Sequence, residues 1–371
     1  PAMNDSYVDT PCTYCGQCIL ACPTGALHEK REDTELVWKA LADKEKHVVI
    51  QTAPSIRATL GEMFGMPIGS LVTGKVVAAL KKIGFDKVFD DCFGADVVVM
   101  EEGTEFIHRL KEKKRLPQFT SCCPGWVKFA ENFYHEIVPH LSTVRSPQQV
   151  FGALSKSYYA EKAGLDPEKI FCVSTMPCIA KKFEARRPEM KVRGLQAVDA
   201  VLTTRELGQM IKQAGINLQK MPEKDYDQPM GYASGAGVIF GAGGGVMEAT
   251  LRTVYEKLSG EKMKEIQFES IRGDSFKELE LDIKGEKLRF AVARGLGNAR
   301  HLIDRILRGE VEYHLVEIMA CPSGCVGGGG QPIYSNQDKW YMQVEAGNSR
   351  GEALFAADEN KNIRTAHENP W

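Results

Sequence analysis

Short apolar runs alternate with amphipathic segments along most of the chain. The runs HVVIQTAP (47–54) and KIFCVSTMPC (169–178) are rich in β-branched residues and end next to a proline, which predicts two buried strands. In TGKVVAALKKIGFDKVFD, apolar side chains recur at three- and four-residue spacing from Val76 to Ile83 before a second apolar run. This segment therefore predicts a helix followed by a short strand.

The same alternation continues to the end of the chain. Helices are predicted at SIRATLGEMFG, ADVVVMEEGTEFIHRLKEKKR, WVKFAENFYHEIV and PQQVFGALSKSYYAEKAG, the last with Ser146 as N-cap and Pro147 at its first position. The segment DAVLTTRELGQMIKQAG predicts a strand, a threonine cap and a helix that ends at Gly215. Residues 277–294 predict a β-hairpin, NARHLIDRILRG a helix and YHLVEIMAC the last strand.

Strands that alternate with helices in two successive blocks predict the α/β class. We expect two lobes of twisted mixed or parallel sheets flanked by helices, preceded by a small cysteine-rich segment. The predicted boundaries are 1–33 for the N-terminal segment, 34–168 for the first lobe, and 169–371 for the second lobe with the C-terminal segment.

The composition of the 371 residues, 43% hydrophobic and 26% charged, is that of an ordinary globular protein and excludes extensive disorder. A net charge of −2 gives no electrostatic basis for binding nucleic acid. The sequence has no apolar run of about 18 residues and no visible secretory signal, so we expect a cytoplasmic protein without a membrane partner. The unusual feature is 11 cysteines, eight of which fall in three short clusters.

The first cluster, CTYCGQCILACP, has the C-x2-C-x2-C-x3-C-P spacing that is typical of bacterial [4Fe–4S] sites. Its cysteines are Cys12, Cys15, Cys18 and Cys22, and they make the N-terminal segment ferredoxin-like. Structural zinc is the alternative, but zinc sites favour two separated pairs of ligands. In two-cluster ferredoxins the fourth cysteine of such a run ligates the other cluster. Cys22 therefore either closes this cluster or belongs to another, and we expect it to be a ligand here.

The other clustered cysteines follow predicted strands. Cys122 and Cys123 come after PQFTS, Cys178 after KIFCVSTMP, and Cys321 and Cys325 after YHLVEIMA. Because ligand groups in α/β proteins lie at the carboxyl ends of strands, we expect these thiols to converge. Any one of them alone is compatible with a buried core thiol, and a disulfide between adjacent cysteines would be strained. Four thiolates on converging strand ends favour a second iron–sulfur cluster.

The segments FTSCCPGW, STMPCIAKKFE and EIMACPSGCVGGGGQP resemble the three signature motifs of the [FeFe]-hydrogenases, in the same order and across nearly all of residues 12–371. The resemblance implies an H-cluster between the two lobes. Its [4Fe–4S] cubane would be held by Cys123, Cys178, Cys321 and Cys325. Cys325 would also bridge to a diiron unit that carries CO, cyanide and an azadithiolate.

The resemblance also implies a proton relay. It makes Cys122 the proton donor next to the cofactor and continues the relay through Glu102, Ser142, Glu105 and Arg109. The two glutamates and the arginine are three and four residues apart, which places them on one face of a helix. Without the resemblance, Glu105 and Arg109 would be interpreted as a solvated salt bridge.

Cyanide ligands carry negative charge and require hydrogen-bond donors in a dry pocket. The residues that the resemblance places around the diiron unit are Lys181 at one cyanide, Pro54 and Ser55 at the other, Met176 and Met319 as packing groups, and Gln148 as a nearby polar group. The role of Glu184 stays open between a second carboxylate near the cofactor and a surface group. Cys92 and Cys172 lie outside all motifs and are predicted to be core thiols, with a redox role as the alternative for Cys92.

The function that the resemblance implies is the reversible oxidation and production of H2 from protons and electrons. Electrons would pass through the N-terminal [4Fe–4S] cluster to or from ferredoxin or NAD-linked electron-transfer subunits. The segment around CTYCGQC resembles the one that precedes the H-cluster domain in multisubunit NAD-linked enzymes, so we expect a chain trimmed from a longer catalytic subunit. Two alternatives remain, a hydrogen sensor with the same cofactor and a hydrogenase-like iron–sulfur assembly factor.

Overall fold

The computed structural model of the protein describes residues 10–29, 32–262, 276–333 and 339–370, without the side chains of Glu32 and of residues 339–344. The predicted N-terminal segment is therefore described only in part. Within these ranges, no helix has the length and apolar character needed to cross a membrane.

The described residues form ten strands in three sheets. The strands are β1 (His47–Thr52), β2 (Lys87–Asp90), β3 (Gln118–Phe119), β4 (Ile170–Met176), β5 (Lys191–Val192), β6 (Leu195–Gln196), β7 (Ala200–Thr203), β8 (Phe276–Ile283), β9 (Glu286–Arg294) and β10 (Leu315–Met319). The first sheet has the order β2-β1-β4-β7, the second has the order β3-β10-β9-β8, and β5 and β6 form a separate antiparallel pair.

The helices that cover these sheets vary from one turn to six. They are α1 (Gln17–Ala21), α2 (Glu32–Ala42), α3 (Ile56–Thr59), α4 (Thr73–Ile83), α5 (Asp91–Glu112), α6 (Pro124–Phe133), α7 (Pro147–Leu154), α8 (Ala160–Ala163), α9 (Ala180–Ala185), α10 (Thr204–Gln213), α11 (Gly235–Ile239), α12 (Gly245–Ser259), α13 (Leu296–Leu307) and α14 (Lys339–Glu359). The α/β class that the sequence predicts is confirmed.

All neighbouring strands of the first sheet are parallel. Ile50 of β1 lies opposite Val88 of β2 and Val173 of β4, and all three side chains are fully buried. The largest apolar core of the molecule joins this sheet to residues of α2, α4, α7 and α10. A parallel sheet that is buried on both faces requires continuous apolar strands, which is why these runs show little alternation in the sequence.

The second sheet is mixed. β10 is parallel to β3 and to β9, whereas β8 and β9 form the antiparallel hairpin that the sequence predicts. The turn at Lys284 and Gly285 has φ angles of 54° and 86°, a geometry that glycine adopts without strain. β8 lies at the edge and alternates between more and less exposed side chains, as expected for a strand with one face toward solvent.

The predicted boundary between residues 168 and 169 does not separate the two sheets. β4 and β7 lie beyond this boundary but belong to the first sheet, and β3 lies before it but belongs to the second. Parallel neighbours cannot be joined by a tight turn, so the chain leaves each sheet and returns to it later. The division into two consecutive lobes is therefore wrong for the sheets.

Some predicted helices are interrupted. The helix predicted at SIRATLGEMFG continues beyond α3 as a 3-10 turn, Leu60–Phe64, and the one predicted at WVKFAENFYHEIV ends at Phe133. A π turn at Ser155–Tyr159 lies between α7 and α8. The hydroxyl groups of Ser155 and Ser157 donate to carbonyls four residues earlier, which competes with regular helical hydrogen bonds and bends the helix.

The start of α10 offers a test of local stability. The Thr203 hydroxyl accepts from the Glu206 amide at 3.1 Å, and the Glu206 carboxylate accepts from the Thr203 amide at 2.7 Å. We expect Thr203→Ala to destabilise the first turn of α10 by about 1 kcal/mol, seen as faster amide hydrogen exchange there. Thr104→Ala, on the exposed face of α5, is the control and should leave exchange in α10 unchanged. Equal exchange in the two variants would contradict the capping role.

Candidate metal-cluster site at the strand ends

The carboxyl ends of both sheets open onto one cavity. Its walls come from the loops that follow β1, β2 and β4 of the first sheet, and β3 and β10 of the second. The predicted site residues that line it are Pro54, Ser55, Cys122, Cys123, Gln148, Met176, Cys178, Lys181, Met319, Cys321 and Cys325. The convergence of the strand-end cysteines is thus observed. Glu102, Glu105, Arg109 and Ser142 are not among the lining residues and lie behind Cys122.

Four thiols line this cavity; Cys321 is buried, and Cys123, Cys178 and Cys325 are partly buried. All cysteines of the chain are described, and all are free thiols. Burial raises the pKa of Cys123, Cys178 and Cys321, and that of Cys325 to about 12. Negative charge on the neighbouring thiols adds to the rise for Cys178 and Cys321, so these sulfur atoms lie within electrostatic range of one another. A cationic metal cluster would remove this penalty because it binds the thiolate form.

The four thiols share one cavity, as the ligands of a single cluster would. Among the described residues, no three His, Cys, Asp or Glu side chains are arranged to hold one metal ion. The thiols instead surround the cavity, and the Ala320 amide donates to Cys123 Sγ at 3.4 Å, the kind of contact that orients a cluster ligand.

Unpartnered polar atoms point to a ligand in the same cavity. Ser55 Oγ and Gln148 Oε1 are buried, and neither has a hydrogen-bond partner among the described residues. An unsatisfied buried hydroxyl is unfavourable, and a bound anionic group such as cyanide would accept its hydrogen bond. The residues present therefore fit the H-cluster that the sequence implies.

Lys181 brings a positive charge to the cavity and is held by Glu184. Its Nζ donates to Glu184 Oε2 and to the Cys122 carbonyl, both at 3.0 Å. Burial alone would lower the pKa of Lys181, but the hydrogen-bonded Glu184 carboxylate and negative charge on Cys178 and Cys122 together raise it. Glu184 Oε2 also accepts from Ser146 Oγ at 2.8 Å and from Gln148 Nε2 at 3.0 Å. Glu184 is thus a buried organiser of the site and not a surface group.

The relay residues lie in contact behind Cys122. Ser142 Oγ donates to Glu105 Oε2 at 2.7 Å, and Arg109 Nη2 donates to Glu105 Oε1 at 2.7 Å. Arg109 also donates to the carbonyl of Leu141 at 2.8 Å, which fixes the loop that carries Ser142. Because the Arg109 side chain is 8% exposed and that of Glu105 is 17% exposed, the pair is not the solvated salt bridge of the alternative interpretation.

Glu102 lies within electrostatic range of both Glu105 and Cys122. It is fully buried, and neither of its carboxyl oxygens has a hydrogen-bond partner among the described residues. Burial raises its pKa to about 8, with the charge of Glu105 adding to the rise. Burial also raises the pKa of Cys122, and a charge on Glu102 raises it further. Both groups therefore hold a proton near neutral pH.

The N-terminal cysteine loop packs directly on the site. A Cβ atom at Gly329 would lie 2.3 Å from the Cys15 carbonyl, so only glycine permits this approach. The charge of Cys15 is also one of the influences that raise the pKa of Cys321. The loop and the cavity thiols are therefore neighbours.

Three of the four N-terminal cysteines form a group. Burial raises the pKa of Cys18, and negative charge on Cys15 and Cys12 adds to the rise. In contrast, the Thr24 hydroxyl and nearby backbone amides lower the pKa of the partly exposed Cys22 thiol to about 7. The Cys22 thiol thus has a different environment, set by Thr24, and the expectation that it joins the same cluster stays a prediction.

Sequence reasoning missed two charged residues at the cavity. Asp91 lines it, and burial raises the pKa of its carboxyl group well above the usual value. Arg57 lies behind Pro54 and pairs with Asp90 at 2.7 Å. The sequence signal available for Asp91 was its place after a predicted strand; Arg57 had none. Cys172 and Cys92 are both fully buried core thiols, as predicted, and Cys92 also accepts a hydrogen bond from Arg57.

Comparisons with known proteins agree with this architecture. The family model for the iron-only hydrogenase large subunit, C-terminal domain, matches residues 46–329, and a 4Fe-4S binding domain matches residues 8–28. The NADP-reducing hydrogenase subunit HndD of Solidesulfovibrio fructosivorans is 48% identical over 100% of this chain and 63% of its own length. Iron hydrogenase 1 of Clostridium pasteurianum is 47% identical over 94% of this chain and 60% of its own length.

The similarity has a second branch. Cytosolic iron-sulfur assembly component 3 of Mus musculus is 35% identical over 86% of this chain and 70% of its own length.

The solved structure of the [FeFe]-hydrogenase HydA1 from Chlamydomonas reinhardtii superposes with a TM-score of 0.76 at 39% identity, over 90% of this chain and 92% of that one. The chain spans slightly less than two thirds of the two hydrogenase relatives that it matches in sequence. With its family domain, its cysteine cavity and its fold in agreement, the chain belongs to the iron-only hydrogenase large-subunit family.

Proposed function

We propose that this chain catalyses the reversible conversion of H2 into two protons and two electrons, with an H-cluster in the strand-end cavity. The observation that carries the proposal is the set of neighbouring proton-holding groups behind Cys122, with Glu102 beside it and Ser142 hydrogen-bonded to Glu105 farther out. Cluster ligands alone would serve an assembly or sensor protein equally well. A relay from a buried thiol toward the surface is needed for turnover, because protons must move between water and a buried metal site.

Cys123, Cys178, Cys321 and Cys325 would hold the cubane part of the cofactor, and Cys325 would also bridge to the diiron unit. Lys181 and the Ser55 hydroxyl are the hydrogen-bond donors for its cyanide groups, with the Pro54 backbone beside Ser55. When bound, the cofactor supplies the metal centre at which H2 is formed or split. Met176 and Met319 are both buried at the cavity wall. Their apolar side chains would pack against the cofactor and exclude water from it.

The chain's own residues move the proton. The Cys122 thiol, kept neutral by burial, gives its proton toward the cavity and regains one from Glu102. Glu102 is protonated below about pH 8, so at neutral pH it can act as the donor. The Ser142 hydroxyl, a neighbour of this carboxyl, donates to Glu105 Oε2 at 2.7 Å. Glu105 Oε1 in turn accepts from the exposed Thr143 hydroxyl at 3.0 Å. Arg109 holds Glu105 in place at the outer end.

Electrons would use the opposite side of the cavity. Cys12, Cys15 and Cys18 would hold the N-terminal [4Fe–4S] cluster, and their loop abuts the ligand loop that contains Cys321 and Cys325. A relative is named as a subunit of an NADP-reducing hydrogenase, which supports an electron-transfer subunit as the partner of this chain. A soluble ferredoxin is the other partner that fits an exposed cluster. H2 and protons are the substrates.

An iron–sulfur assembly role is the second candidate, and the 35% identity to an assembly component is what favours it. In that role the cavity cysteines would be retained, while the relay carboxylates would have no task. Catalysis is favoured by the buried, unpartnered Glu102 carboxyl group near Ser142 and Glu105. Burying a carboxyl group without a partner is unfavourable, so its presence indicates a function.

Adjacent cysteines provide a sharp test. With the cofactor installed and a reduced viologen dye as electron donor, the unmodified chain should produce H2. Cys122→Ser should keep its iron but lose at least about 100-fold in rate, because the serine hydroxyl is a far weaker acid. Cys123→Ser should instead lose cluster iron, measured by metal analysis. Full activity of Cys122→Ser, or no activity of the unmodified chain, would contradict the proposal.

The pH dependence of stability tests the Glu102 environment. Its pKa is about 8 in the folded chain and near the ordinary glutamate value of about 4.3 when unfolded. The contribution of the protonated Glu102 to the free energy of unfolding is therefore fully present below about pH 4.3. It is lost as the pH rises through about 8. In the cofactor-free protein, Glu102→Gln should flatten this loss of thermal stability. The exposed neighbour provides the control Glu101→Gln, which should retain the wild-type pH profile. A profile unchanged by Glu102→Gln would contradict the buried neutral carboxyl.

Iron content tests the separation of Cys22 from its neighbours. Cys22→Ser should retain the iron of the N-terminal cluster because Cys22 is not grouped with the other three thiols. Cys15→Ser should lose that iron. Equal losses from the two variants, measured by metal analysis and electron paramagnetic resonance, would show that Cys22 is a ligand of the same cluster.

A further inference from the structure

The segment Pro54–Ser55 at the cavity wall is held by a buried side chain. Before the segment, the Ala53 amide donates to the Thr175 carbonyl of β4 at 3.0 Å. After it, the Ser55 carbonyl accepts from the Thr59 hydroxyl at 2.9 Å. The Pro54 carbonyl between them accepts from Arg57 Nε at 3.1 Å. The position of the segment therefore depends on where the guanidinium of Arg57 lies.

The other end of that guanidinium is fixed by the start of α5. Arg57 Nη2 donates to Asp90 Oδ1 at 2.7 Å and to Cys92 Sγ at 2.9 Å. The Asp90 carboxylate also accepts from the Cys92 amide at 3.1 Å, which caps α5. All three side chains are buried, so water does not compete for these contacts. Arg57 thus connects the end of β1 to the end of β2.

Cys92 and Ser55 are both confined by the glycine-rich segment at α11. A Cβ atom at Gly237 would lie 2.3 Å from the Cys92 carbonyl, so the backbone of α11 rests directly on this residue. The same segment continues to Gly241 at the cavity, where a Cβ atom would lie 3.1 Å from the Ser55 amide nitrogen. The Ser55 hydroxyl is buried between these supports and has no partner among the described residues.

We propose that Arg57 is a positioning residue for the cofactor, and that Asp90 and Cys92 set its orientation. Through Pro54, Arg57 fixes the position from which the Ser55 hydroxyl meets a cyanide group. Asp90 supplies the charge for the buried guanidinium, and the Cys92 thiol accepts a second hydrogen bond without adding another charge. The role at the cofactor rests on the proposed function, whereas the hold on Pro54–Ser55 concerns the protein alone.

Arg57→Lys tests whether Arg57 holds the Pro54–Ser55 segment in place. Lysine keeps a positive charge near Asp90 but lacks the planar guanidinium that hydrogen-bonds to the Pro54 carbonyl and to Asp90 at the same time. In the cofactor-free protein, amide exchange at residues 55–59 should accelerate about tenfold, since one hydrogen bond from a charged group is lost. Cys92→Ala should produce a smaller acceleration and keeps the test available if Arg57→Lys does not fold. Cys172→Ala, which removes another fully buried thiol, is the control and should leave this segment unchanged.

Infrared spectra of the cofactor-loaded protein test the consequence at the site. Ser55→Ala should shift a cyanide stretching band, and Arg57→Lys should shift the same band with smaller changes in the CO bands. If Arg57 acts through Ser55, adding Arg57→Lys to Ser55→Ala should produce no further shift. Fully additive shifts would overturn the positioning role at the cofactor, and unchanged amide exchange in both Arg57→Lys and Cys92→Ala would overturn the hold. Absence of cyanide bands in the loaded unmodified protein would overturn the proposed function, while the exchange result would still decide the hold.

Discussion

Desolvation of four thiols at the junction of two sheets is the constraint on which the rest of the structure depends. Each thiol in this cavity has a raised pKa because its charged form is desolvated, and Lys181 is the one cation among the cavity-lining residues. Such a group is stable as neutral thiols or as ligands of a positively charged cluster. Strand ends from two rigid sheets hold the sulfur atoms in place for the second of these states.

Buried ion pairs brace the loops between those strand ends. Arg350 of α14 donates to both carboxylate oxygens of Glu62, at 2.8 and 2.6 Å, and to the Val326 carbonyl next to Cys325 at 3.0 Å. Lys181 and Glu184 have the same role beside Cys122 and Cys178. The Arg350–Glu62 pair joins distant parts of the chain, whereas Lys181 and Glu184 lie on one helix and reach the Cys122 loop through its carbonyl. Removing one partner of either pair would leave an uncompensated buried charge. The loops around the cavity are therefore constrained from outside as well as by their own backbone.

The sequence predicted the local features well because they depend on short-range chemistry. The strand runs, the Thr203 cap and the strand-end position of the cysteines all appear in the structure. The predicted boundary at residues 168 and 169 did not separate the two sheets, because β4 and β3 each pair with strands far along the chain. No local sequence pattern encodes such pairing. Asp91 and Arg57 were missed because a single charged residue carries no spacing signal. The hydroxyl of Ser146 binds Glu184 instead of capping α7, which only the tertiary contact reveals.

We propose that this cavity holds a diiron cofactor with CO and cyanide ligands, in addition to a cubane. The most direct measurement is the infrared spectrum of the chain after treatment with the maturation proteins or the synthetic diiron unit. We expect the treated protein to show sharp CO and cyanide stretching bands. These bands should be absent from the untreated protein and from the treated Cys325→Ser variant. A treated chain that contains iron–sulfur clusters but shows no such bands would contradict the proposal.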